Sequence, residues 1–144
     1  MADRAPRALN LPPAVRAGIE SHLRSTLPDE GCGLLVGVGE SVVRFVPITN
    51  ADPSPRTFLL DPVEHHGALL AAEAEDMALV GVVHSHPVSA AVPSPTDVAG
   101  ALEPEWAYVV VGPLDASPQV RAWRIDGGVV DEIPVGDAVD PGTP

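Results

Sequence analysis

A chain of 144 residues, 45% hydrophobic and 19% charged, is one ordinary globular domain, long enough to bury a core without disulfide staples. Its net charge of −12 argues against a nucleic-acid binder that works by neutralising phosphates, and no apolar run approaches the ~18–20 residues of a membrane span. Cys32 is the single cysteine, which excludes an intrachain disulfide and a thiolate zinc site, so any metal must be held by histidine and carboxylate.

Residues 1–10 are expected to be flexible; they carry arginines but no apolar segment of a secretory signal, so cytoplasm is the default location. From Pro13 a helix is expected, with Val15, Ile19, Leu23 and Leu27 in an i, i+4 row and a stop before Pro28. Glu30 stands at the passage from helix to strand, where a carboxylate on its own reads as a solvated turn residue. The small and apolar residues from Gly31 to Gly37 suit a central strand, and a turn at Gly39-Glu40 leads to a second strand over 41–48. A polar loop over 49–56 precedes a short strand expected at 57–60.

Asp61 and Pro62 read as the cap and first residue of a second helix running to about Asp76. His65 and His66 on that helix, and His22 on the first, are weak ligand candidates. The β-branched run 78–83 is a buried strand that ends in His84-Ser85-His86-Pro87. Side chains alternate along a strand, so His84 and His86 share a face and can bite one metal ion, while Ser85 points away. Pro87, without an N–H, stops the ladder. Ser94-Pro95-Thr96-Asp97 has the form of a helix start, and Asp97 taken alone is the acidic half of a capping box. Set after His-x-His, it becomes a third ligand candidate, and His₂-Asp with one open position is the layout of catalytic zinc. A short helix to about Leu102, a strand over 106–111 and a closing hairpin of 120–125 and 129–135 complete the chain; 136–144 is expected to be a disordered tail. The whole reads as an α/β domain with helices on the faces of a central sheet.

Several His-x-His architectures are excluded. A zinc deaminase needs a Pro-Cys-x-x-Cys pair, a metal-dependent (β/α)₈ hydrolase needs about 250 residues, and a zincin needs His-Glu-x-x-His. Glu30-Gly31-Cys32-Gly33, His84-Ser85-His86-Pro87 and Ser94-Pro95-Thr96-Asp97 together resemble the JAMM (MPN-plus) metalloproteases, in particular their compact prokaryotic branch. The composite motif is specific; its separate pieces are not.

The resemblance implies a single JAMM/MPN (cytidine-deaminase-like) domain over 11–135 with a mixed central sheet flanked by helices. It implies one catalytic Zn²⁺ on His84, His86 and Asp97, with Glu30 as general base and Ser94 as a hydroxyl that stabilises the oxyanion. It implies hydrolysis of the amide bond after the C-terminal Gly-Gly of a ubiquitin-like or sulfur-carrier protein, whose extended tail is expected to add to a sheet edge near the zinc. Two other readings stay open: release of a single C-terminal cysteine from a sulfur carrier, and a non-enzymatic, zinc-stabilised interaction module. No nucleic acid and no membrane is expected as a partner, and monomer and homodimer are both open.

Overall fold

The computed structural model describes residues 5–137. In chain order these form β1 (Leu9–Asn10), α1 (Pro13–Ser25), β2 (Cys32–Val38), β3 (Ser41–Ile48), α2 (Pro62–Ala74), β4 (Ala78–Ser85), α3 (Pro95–Ala99), β5 (Ala107–Gly112), β6 (Gln119–Asp126), β7 (Val129–Ile133) and β8 (Val135–Gly136). The strands make one mixed sheet in the order β7-β6-β5-β4-β2-β3-β1-β8, as an α/β domain with a mixed sheet requires. β4 runs parallel to β5, and β1 runs parallel to both β3 and β8. The other pairs are antiparallel. β7 and β8 lie at opposite ends of this order, yet only Pro134 separates them in sequence. The sheet therefore curls until its two edges adjoin.

The two faces are filled by different helices. α1 presents Val15, Ile19 and Leu23 to Leu35, Val83, Val109 and Val111, with Leu9 and Leu11 beside them. α2 sets Ala68 and Ala72 against Cys32, Leu34, Val36 and Val82 on the other face. Small residues on α2 let it lie close to the sheet, and its start is fixed by Asp61, whose carboxylate accepts the N–H groups of Val63 and Glu64.

Five expectations need correction. Leu9 and Asn10 form a strand, with Leu9 fully buried, so the flexible segment expected over 1–10 does not extend to its end. Gly136, expected in the disordered tail, pairs with Asn10; residues 138–144 lie outside the described residues. The strand expected at 57–60 is a single bridge between Asn50 and Leu60. There the Asn50 side chain donates to the Thr57 carbonyl and accepts the Leu59 N–H, taking the place of a neighbouring backbone. The third helix stops at Ala99 rather than near Leu102 because Gly100, a poor helix former, caps it. Leu27, expected to extend the α1 stripe, lies past the helix end and is exposed.

Candidate metal centre

β4 delivers the two histidines. His84 and His86 are 4% and 5% exposed and sit on the α2 side of the sheet. Their Nε2 atoms lie 3.2 Å apart, and each lies 3.0 Å from the same oxygen, Asp97 Oδ2. Two imidazole nitrogens and a carboxylate oxygen thus converge on one point, and they can hold one metal ion.

Two details fit the group to a metal. His86 Nδ1 donates to the Ala90 carbonyl at 2.7 Å, which fixes the proton on Nδ1 and turns the Nε2 lone pair toward Asp97. Two inward-facing nitrogens and a carboxylate oxygen at such distances can share one cation, and a neutral-histidine, ionised-aspartate set suits zinc. Without an ion, the electrostatics favour neutral His84 and ionised Asp97, and they favour the charged form of His86. Burial pushes His84 toward its neutral form, outweighing the pull of Asp97. Burial pushes His86 the same way, but the hydrogen bonds to Asp97 and the Ala90 carbonyl and the charges of Asp97 and Glu30 together raise it. Burial acts to raise Asp97, yet the hydrogen bonds from both histidines and the Ser94 N–H hold it far below the ordinary carboxylate range.

Asp97 serves two purposes. Its Oδ2 also accepts the Ser94 N–H at 2.9 Å, while Ser94 Oγ accepts the Asp97 N–H at 3.0 Å, a complete capping box at the start of α3. One oxygen, Asp97 Oδ2, therefore closes the capping box and also faces both histidine nitrogens. Ser94 Oγ accepts that one N–H and keeps its own proton to donate.

Glu30 is 2% exposed, and its Oε1 is a buried side-chain oxygen with no hydrogen-bond partner among the described residues. Burial, and then the Asp97 charge, push its carboxyl up to about 8, against a smaller downward pull from His86. An orphaned carboxylate oxygen beside a ligand cluster is a strong sign of an acid–base group. In chelated, metal-free protein the folded state holds the Glu30 proton up to about pH 8, whereas the unfolded chain releases it near 4.5. Glu30 therefore lowers stability as pH rises through that window. Thermal melts of chelated protein should show Glu30→Gln gaining on the parent as pH rises from about 4.5 to 8. A constant difference across the window would contradict this.

Three supporting residues were not singled out by sequence reasoning. Ser85, fully buried on the opposite face, accepts the Gly31 N–H at 2.8 Å, and its own N–H donates to the Gly31 carbonyl at 3.0 Å. Asn50 Nδ2 donates to the Glu30 carbonyl, and the Glu30 N–H donates to Ser54 at 2.7 Å. Phe58 stacks on His84 with ring centroids 4.6 Å apart. The signal for Ser85 was present: a hydroxyl in a buried strand must find a partner. Gly31 could take no side chain, since a Cβ there would lie 2.5 Å from Thr26 Oγ1 at the end of α1. Ser85→Ala should leave the buried Gly31 N–H without its acceptor, at a cost of about 1–3 kcal/mol in denaturant unfolding. It should also lower turnover without lowering zinc content, because Glu30 is the next residue. Unfolding free energy within a few tenths of the parent would remove Ser85 from this role.

The weaker candidates do not join the group. His22 donates to the Cys32 carbonyl at 3.1 Å, and His65 packs against Trp106. Cys32 is fully buried beneath α2; burial first, then the Glu64 and Glu30 charges, push its thiol up to about 12. A thiol so far from ionisation is unsuited to redox sensing.

Residues 12–126 match the family described as prokaryotic homologs of the JAB domain. The chain belongs to this family. It is 40% identical to a CysO-cysteine peptidase of Mycobacterium tuberculosis over 80% of this chain and 81% of that protein. It is 39% identical to a probable TtuB-protein conjugate cleaving protease of Thermus thermophilus, over 83% and 78% respectively. A solution structure of a Desulfitobacterium hafniense protein superposes with a TM-score of 0.83 at 30% identity, covering 92% of this chain and 94% of that one. Among the described residues, no helix is long and apolar enough to cross a membrane.

Proposed function

We propose that the protein is a zinc-dependent metallopeptidase that hydrolyses the amide bond after the C-terminal Gly-Gly of a ubiquitin-like or sulfur-carrier protein. The observation that carries this reading is the meeting of His84, His86 and Asp97 on one point, with the unpaired Glu30 carboxylate buried nearby. The names of two relatives, a peptidase of a CysO–cysteine adduct and a protease of TtuB conjugates, support a carrier-adduct substrate.

His84, His86 and Asp97 would hold the zinc, which when bound supplies a Lewis acid and lowers the pKa of a water to about 7. Glu30 takes a proton from the attacking water and delivers it to the leaving nitrogen. The carbonyl carbon gains the water oxygen, the C–N bond breaks, and the products are a Gly carboxylate and a free amine. Ser94, with its proton free to donate, steadies the negative oxygen that forms between these steps. The backbone around Glu30 is held by Ser54, Asn50 and Ser85, which keeps the base in place through both transfers. Segment 57–60, joined to the described residues by the Asn50–Leu60 bridge and by the Asn50 side chain at Thr57 and Leu59, is the strand-like edge best suited to take an extended carrier tail along its other side.

The test is a carrier fusion extended beyond Gly-Gly, incubated with the zinc-loaded protein with and without a chelator. Cleavage after the second glycine, lost on chelation, is expected; intact fusion in the presence of bound zinc would overturn the reading. Release of a single cysteine is the second reading, favoured by the CysO-cysteine peptidase name. Mass spectrometry on carrier–cysteine and carrier–protein adducts side by side decides between the two leaving groups.

A further inference from the structure

A cavity of about 390 Å³ lies against one side of the ligand cluster. His84 and Asp97 form part of its wall; Glu30, His86 and Ser94 do not. The rest of the wall is mostly apolar, supplied by Phe58, Leu60, Leu102, Trp106, Tyr108 and Val110. The Tyr108 hydroxyl does not change this character, because it donates to the Glu103 carbonyl and accepts the Glu103 N–H, both at 2.9 Å. Phe58, stacked on His84, makes the apolar wall continuous with the metal ligands. No arginine lines the cavity, and its charged wall groups, Asp97 and Glu103, are acidic, so an anionic occupant is disfavoured.

We infer that this cavity receives an apolar side chain of the carrier tail, at the residue just before Gly-Gly, and selects carriers by it. The inference rests on the proposed amide hydrolysis, and the direction follows from the proton path. Glu30 must face the leaving nitrogen, and Glu30 is absent from the cavity wall, so the leaving group lies outside the cavity and the acyl side points into it. Two glycines in extended form span about 7 Å. That length brings the preceding residue from the metal ligands into the adjoining space. A volume near the lower end of ligand pockets, about 300–1,000 Å³, suits one large side chain rather than a folded partner.

The experiment uses zinc-loaded protein and one carrier with Leu, Phe, Ala or Asp before Gly-Gly, and separately with the residue after Gly-Gly varied. Leu and Phe should exceed Asp in kcat/KM by about 10- to 100-fold, with most of the difference in KM. Leu102 stands at the lip, 81% exposed, so Leu102→Glu should fold normally and shrink that ratio toward one. Equal kcat/KM across the series would overturn the inference, as would a preference that follows only the residue after Gly-Gly. If no fusion is cleaved, the hydrolytic reading fails and calorimetry decides on the cavity alone. Tail peptides ending in Leu-Gly-Gly should then bind Glu30→Gln protein about tenfold tighter than those ending in Asp-Gly-Gly; equal affinities would overturn it.

Discussion

Replacing Glu30 with glutamine should lower turnover of a Gly-Gly fusion by about 10²–10⁴-fold, the usual contribution of a positioned acid–base group. Glutamine has nearly the same shape and can still accept a hydrogen bond from water, but it cannot carry the proton to the leaving amine. The site itself should survive the change. Glu30 is not among the three convergent ligands, and its main chain is held by Ser54 and Asn50 whatever the side chain. Zinc content measured by atomic absorption should therefore stay near one per chain while turnover falls. Turnover within a few-fold of the parent would remove Glu30 from the reaction. Partner-dependent function that persists without turnover would favour the interaction-module reading instead.

Asp97→Ala should have the broadest consequences of any single change. It deletes the oxygen that lies 3.0 Å from both histidine nitrogens and accepts the Ser94 N–H at 2.9 Å. Zinc affinity should fall by more than the roughly 10–100-fold that follows loss of an outer-shell partner. Loss of the bond from the Ser94 N–H, the reciprocal half of the capping box, should cost about 0.5–1.5 kcal/mol on top of this. Ser94→Ala is the informative companion. It removes the acceptor for the Asp97 N–H but leaves Asp97 Oδ2 in place. It should cost a similar amount of stability and keep zinc, while turnover drops by about 10²–10³-fold if the hydroxyl serves the oxyanion. Zinc retained in Asp97→Ala at the parent's affinity would mean that Asp97 is a helix cap only.

Much of the molecule was legible because the relevant signals are local. The β2 and β3 strands, the Asp61 and Ser94 caps, and the shared face of His84 and His86 follow from residues within a few positions of each other. The elements that were missed have no local signature. Leu9–Asn10 and Val135–Gly136 are too short to show alternation and exist only because the curled sheet brings them together. Segment 57–60 has strand-like residues, but Asn50 at its side takes the bonds a strand would have needed. The candidate site divides the same way. The motif residues His84, His86, Asp97 and Ser94 come from one short stretch, whereas Ser85–Gly31 and Asn50–Glu30 are contacts across the fold. The cavity draws its walls from four separate parts of the chain, and no single stretch could have announced it.

The shared oxygen of Asp97 ties two equilibria together. The carboxylate that draws the histidines inward is also the one that starts α3, and Thr96 and Gly100, within and just after that helix, line the cavity. Loading an ion on this oxygen should therefore steady the substrate side of the cleft. By thermodynamic reciprocity, a tail lodged in the cavity should tighten the grip on the ion by the same factor by which the ion improves the affinity for the tail. Starvation for zinc would then lower the affinity for carrier as well as the rate, and a carrier in excess would help the protein keep its metal.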